Sequence, residues 1–266
     1  LARAMFHYFH AQYLSFLGQR SKIEDIYFKK AEPLFIELGA DYWVVQVTLS
    51  TGWGVWPWYL EKLANAEIIC REMGDEQTLA WVLSAQGVIL LYGHGKLEQA
   101  ESKLNESVAL YKKFDDQDSK HQLIGCKEHL ANMYGRFTEV IEYRKQNLDA
   151  LTKRGEKYFI ANISMELGES YQHVGNYQRA KTLGWKGLNS IRKELDSVSF
   201  ANQGVFFYSM TLIALQEYRD ATALISELIN PPVNSDVDYS FGILGQALLL
   251  TILIHQGDED DHTILM

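Results

Sequence analysis

Three things are scarce in this sequence, and each scarcity removes a class of protein. Cysteine is nearly absent: Cys70 and Cys126 are the two in 266 residues, far apart and each in a helical pattern. That suits a reducing compartment rather than a disulfide scaffold, so the expected location is cytoplasmic. Clustered positive charge is lacking as well. Lys and Arg number 25 against 34 Asp and Glu, a net charge of −9, and no basic tract of five residues occurs, which argues against this chain gripping nucleic acid. Long apolar runs are missing too: the most apolar stretch, GILGQALLLTILI at residues 242–254, holds Gln246 and Thr251 and falls short of the roughly 18 to 20 residues a membrane span needs. The chain opens on Leu1 with no basic segment leading into an apolar one, so no signal peptide is read. Opening without Met and closing on DDHTILM, it is expected to be a piece of a longer protein.

What is present is enough apolar material for a substantial core, 47% of the residues, arranged with a beat. Turn-like stretches recur as GVWPWY at Gly54, GKLEQA at Gly95, GRFTEV at Gly135, GNYQRA at Gly175, QEYRDA at Gln216 and GDEDDH at Gly257. Successive markers lie 41, 40, 40, 41 and 41 residues apart. Each begins with a residue suited to a positive φ at a helix end. A large residue follows two places on (Trp56, Leu97, Phe137, Tyr177, Tyr218) and a small one five places on (Ala100, Val140, Ala180, Ala221). The large residue is expected to plug between two helices and the small one to let them approach. A second series, half a period away, comprises ELGAD, EMGDE, KFDDQ, KRGEK and KELDS, which read as helix end, break and polar N-cap. Between the two series the apolar spacing is helical, as in Leu167, Tyr171 and Val174, and strand signals are lacking. The spacing therefore predicts one all-α array over residues 1–266, about seven antiparallel helix pairs with the last cut short.

The stretch LGESYQHVGNYQRA, residues 167–180, resembles the first helix and turn of a tetratricopeptide repeat at Leu167, Gly168, Tyr171, Gly175, Tyr177 and Ala180. Neighbouring units match more loosely, and together they cover nearly the whole chain. The long period, with joints such as REMGDE, is similar to the C-terminal sensor regions of bacterial multidomain signalling ATPases and maltose-activator-type regulators. The resemblance implies a right-handed superhelical solenoid whose groove is lined by the first, or A, helix of each pair. HEAT-like repeats share the period, but their kinking proline in helix A is missing: Pro33 falls in a second, or B, helix and Pro57 at a helix start.

Residues 52–60, GWGVWPWYL, hold a tryptophan cluster. Trp56 falls at the turn-aromatic position and is read as packing. From Gly39 to Gly54 is 15 residues, whereas Gly74 to Gly95 is 21 and Gly155 to Gly175 is 20. The A helix here is thus shorter by more than a turn at about 3.6 residues per turn. That leaves a notch for Trp53 and Trp58 to fill, the alternative being an exposed aromatic recognition patch.

Catalytic signatures fail on inspection. GHGKL at Gly93 has Leu90 where a phosphate-binding loop needs its first glycine and Leu97 where it needs Ser or Thr. Cys126 and His129, and likewise His7 and His10, are three apart without a second ligand pair, and read as packing rather than as metal or thiol chemistry. The terminal acids GDEDD read as helix-dipole complements. No GxSxG elbow or HExxH helix occurs, so neither enzyme activity, cofactor nor metal is expected. Counting back from the turns, as the tetratricopeptide resemblance implies, places Gln122, Gly125, His129 and Asn132 on the groove face of one A helix. Asn162, Met165, Glu169, Gln172 and His173 fall on the next, and Gln203, Phe206 and Met210 on a third. Apolar faces flank them, with Phe6, Phe9 and Tyr13 on the first unit and Leu244, Ala247 and Thr251 on the last. This polar middle is either a solvated face or a pocket for a peptide or small polar ligand. It lacks the cationic clamp of a carboxylate-gripping groove. The expected role is a ligand- or protein-recognition sensor region in a bacterial cytoplasmic signalling protein. The alternatives are a peptide-pheromone receptor repeat domain or a static assembly scaffold.

Overall fold

A computed structural model of the chain describes residues 1–16, 23, 25–50, 57–155, 157–194, 198–229 and 239–256. Among these, every regular element is helical and none is a strand. The chain divides into two compact units, Leu1–Arg136 and Phe137–Met266. The first contains α1 (Ala2–Phe16), a π turn at Tyr27–Ala31 running into α2 (Glu32–Glu37), α3 (Asp41–Ser50) and α4 (Pro57–Met73). It continues with α5 (Glu76–Val88), a second π turn at Ile89–Gly93, α6 (Leu97–Tyr111) and α7 (Gln117–Met133). The second contains α8 (Phe137–Arg154), α9 (Lys157–His173), α10 (Tyr177–Glu194), α11 (Val198–Ala214), α12 (Tyr218–Ile229) and α13 (Tyr239–Gln256). Within each unit successive helices pack in chain order, and alternate helices also meet: α5 with α7, α9 with α11, α11 with α13. This is the helical-repeat solenoid architecture that the sequence beat predicts.

The turns carry the architecture. Gly95, Gly135 and Gly175 have φ of 62°, 65° and 74°, and at the next marker Gln216 takes φ 62°. The second series repeats the device at Gly39, Gly74 and Gly155. At several of these helix ends the backbone closes five residues back, as in Asp75 N–H to Cys70 O (3.0 Å), Arg136 to Ala131 (2.9 Å), Asn176 to Tyr171 (2.8 Å) and Glu217 to Leu212 (2.9 Å). Otherwise unsatisfied terminal carbonyls are thereby paired. The acidic N-caps form as read: Asp75 accepts from the Thr78 N–H and Asp116 from the Ser119 N–H.

Two π turns have identifiable causes. The first ends just before Pro33, which has no N–H to give and whose ring crowds the carbonyl four residues back, so the helix widens there. The second absorbs the one residue by which Gly74–Gly95 exceeds the 20-residue spacing seen from Gly155 to Gly175. Its turn accordingly closes six residues back, Lys96 N–H to Leu90 O at 2.9 Å.

Ala100, Val140, Ala180 and Ala221 are buried as expected. The large turn residues are less uniform. Tyr218 packs on the core and Phe137 and Tyr177 are half-buried. Leu97, at the same position, is 53% exposed. Gly54, Trp56 and Gly257 lie outside the described residues. The backbones of α9 and α10 approach closely: a Cβ on Gly187 would stand 2.6 Å from the Ala161 carbonyl oxygen, and one on Gly168 2.9 Å from the Gly184 nitrogen.

Ion pairs tie B helices to one another outside the apolar core. Glu67 on α4 pairs with Lys103 on α6 at 2.6 Å, and Arg71 bridges Glu67 and Glu106. Lys181 and Arg192 on α10 reach Glu217 and Glu227 at and on α12. Burial works to raise the Glu67 pKa, but hydrogen bonds from Lys103 and Arg71 outweigh it and hold the carboxyl below its usual range. A carboxylate depressed in the folded state stabilises above its unfolded pKa, and that stabilisation fades as pH falls through the depressed value. Glu67→Gln is therefore expected to flatten the acid-side loss of stability below about pH 4, checked by denaturant midpoints across that range.

Gln216 does a glycine's work with a side chain attached, and left-handed backbone costs an L-residue roughly 1 kcal/mol or more. Gln216→Gly is expected to raise stability by about 1 kcal/mol and Gly175→Ala to lower it by a similar amount. Thermal denaturation of both variants provides the check.

Candidate functional site

Each unit presents one polar A-helix face. In the first, Gln122, Gly125, His129 and Asn132 follow one another at intervals of three, four and three along α7, so one stripe of the helix carries them all. All four are half-buried. The π turn after α5 places Tyr92, 53% exposed, beside this stripe. Its hydroxyl accepts from Asn132 Nδ2 at 2.8 Å and lies 3.3 Å from His129 Nδ1, with the two rings edge-on at 5.7 Å. Cys126 turns the other way. It is 1% exposed, its sulfur 3.3 Å from the hydroxyls of Ser84 and Ser107. Burial pushes its thiol up, and does the same to Cys70, to about 11. Both cysteines are free and buried, a poor setting for a thiolate nucleophile. Among the described residues no group of three or more His, Cys, Asp or Glu is arranged to hold a metal ion.

In the second unit the stripe lies on α9. Asn162 Nδ2 donates to Glu166 Oε1 at 2.7 Å. Glu169 stands 3.9 Å from His173 Nε2, and His173 stacks flat on the Phe137 ring, centroids 4.2 Å apart and planes within 11°. Gln172 Oε1 accepts from the Thr211 hydroxyl at 3.2 Å, joining α9 to α11. Behind the stripe, Arg144 of α8 is buried. It donates to the Glu166 carbonyl and to Ser170 Oγ (2.7 Å), with the Glu169 and Glu166 carboxylates at 3.7 and 3.9 Å. One buried guanidinium thus holds two carboxylates at i and i+3, fixing the negative end of the face.

Met165 is a correction. Counting from the turn puts it on the groove face, but it is 9% exposed and joins the core with Leu188, Val205 and Leu212. Gly187 and Gly204 open the space, since a Cβ on either would collide with the Met165 side chain. Phe206 and Met210 are half-buried, and the side chain of Gln203 lies outside the described residues. Phe6, Phe9 and Tyr13 are exposed on α1, as are Leu244 and Ala247 on α13. Trp58 sits between the two expectations, 37% exposed with its ring edge-on to Phe28 at 5.3 Å, while Trp53 and the terminal acids lie outside the described residues.

Sequence reasoning missed Tyr92, Arg144 and Glu166. The signal for Tyr92 was present in the 21-residue spacing, since a surplus residue in a helix is a π turn in waiting. Nothing in the pattern marks Arg144, whose B-helix position reads as solvated until α9 covers it.

No family model and no curated protein matches this sequence. Solved structures do. NprR in complex with its cognate peptide NprX is similar with a TM-score of 0.64 at 17% identity, over 98% of this chain and 76% of that one. BtubC (BKLC) from P. vanneervenii is similar with a TM-score of 0.58 at 14% identity, over 75% and 83%. At such identities the likeness is one of fold, a helical-repeat solenoid.

Removing the cation behind the α9 face strands a carbonyl and a hydroxyl and frees two carboxylates to repel. Arg144→Ala is expected to cost about 3 kcal/mol, seen as a lower urea midpoint with unchanged slope.

Proposed function

We propose that this chain is a non-enzymatic recognition module that binds a peptide on the polar faces of its A helices. It would act in the cytoplasm as the sensor part of a larger signalling protein. The observation that carries this reading is the match to NprR, a structure holding a cognate peptide, over 98% of this chain. The polar stripes on α7 and α9 support it, because amides and the His129 imidazole set in half-buried positions give a ligand directed hydrogen bonds. Among the described residues no helix is long and apolar enough to cross a membrane, which is compatible with that setting. Of the two signalling readings, the NprR likeness favours a peptide receptor over the sensor of an ATPase. A ligand of this kind switches an attached effector only through differential affinity for two arrangements of the repeats.

Peptides selected from a random heptapeptide library on the intact chain, then titrated calorimetrically, test the reading. The double variant Glu169→Ala, Gln172→Ala is expected to weaken selected peptides by about tenfold or more, one to two lost hydrogen bonds at roughly 1.5 kcal/mol each. Failure of the library to yield any saturable binder removes the peptide from the proposal.

A further inference from the structure

The interior glycines of the helices divide into two kinds. A Cβ placed on Gly87, Gly168, Gly184, Gly187, Gly204 or Gly245 would meet an atom of another residue at 3.1 Å or less. Those glycines are explained by helices packing closely within the chain. Gly125 is different. It lies mid-way along α7, with φ in the helical range, and a Cβ there would meet nothing within 4 Å. Glycine inside a helix is destabilising relative to alanine, because the unfolded chain has more freedom to lose. At Gly125 no contact within the molecule offsets that loss, and no positive φ requires it.

Its surroundings show what the bare backbone serves. Gln122 lies one turn before it and His129 one turn after, on the same stripe, and Asn132 follows with its amide held by Tyr92. Missing only at Gly125, the side-chain layer dips to the helix backbone between two hydrogen-bonding side chains. From Gln122 to Asn132 the helix rises about 15 Å at roughly 1.5 Å per residue, the reach of about four to five residues of extended chain at roughly 3.3 Å each. The stripe offers carbonyl and N–H groups but no Lys or Arg. That suits a main chain with alternating donors and acceptors better than a phosphate or carboxylate.

We propose that Gly125 marks where a bound peptide comes closest to the protein: the peptide main chain runs along α7 and passes directly over the glycine, with Gln122 and Asn132 bonding it on either side and Tyr92 as a side wall. This rests on the peptide-recognition reading and places the contact on α7. Two substitutions separate ligand contact from fold. Gly125→Ala fills open space with a better helix former, so it raises the melting temperature while weakening library-selected heptapeptides by tenfold or more. Gly125→Val, bulkier, weakens them further. Peptides that bind both variants within twofold of the parent overturn this inference and leave peptide recognition standing. So do peptides sensitive to Glu169→Ala, Gln172→Ala but indifferent to Gly125. A fall in melting temperature for Gly125→Ala also overturns it, since the glycine would then be needed by the fold. A library with no binder removes the peptide reading itself.

Discussion

A helix can reverse direction in two or three residues only if one residue enters the left-handed region, where a Cβ presses on the following carbonyl. In this protein that constraint falls on Gly39, Gly74, Gly95, Gly135, Gly155, Gly175 and Gln216, all with positive φ. Within each unit these reversals set helices beside their predecessors, and after Gly95, Gly175 and Gln216 the small residue five places on lets the pair close. The cores follow from this: Ala100, Val140, Ala180 and Ala221 are buried, and the clusters around Leu83 and Leu188 fill the spaces between stacked pairs. Neighbours shield neighbours, so stability accrues locally, as in repeat proteins generally.

Stacking frees one face of each A helix from the core, and there the polar residues stand. Placing amides and carboxylates on such a face costs little, because solvent or a ligand can satisfy them. The protein nonetheless ties several of them down. Asn132 is held by Tyr92, Asn162 by Glu166, Gln172 by Thr211, and Arg144 supports the α9 carboxylates from below. Side chains fixed before a ligand arrives lose less entropy on binding it. The π turn at Ile89–Gly93 belongs to the same arrangement, since the surplus residue that widens the helix also delivers Tyr92 to the α7 stripe.

Where sequence reasoning failed, a contact between segments decided the outcome. Met165 has the spacing of a groove residue, yet Gly187 and Gly204 on two other helices open a space into which it turns. Leu97 has the position of a turn plug and stands largely exposed. Cys126 and His129 are neighbours on paper but face opposite ways, one onto Ser84 and Ser107 and the other onto Tyr92.

The beat of about forty residues, its glycines and its acidic N-caps are local properties, fixed by backbone sterics within a few residues of each turn, so the sequence alone determined the helices, their succession within each unit and two separate stripes, Gln122, His129 and Asn132 on α7 and Asn162, Glu169 and Gln172 on α9. Burial is a property of pairs of helices. Only the tertiary structure decided that Arg144 is a buried support, that Met165 is core, and that Gly125 faces open space while its fellow glycines are filled by their neighbours.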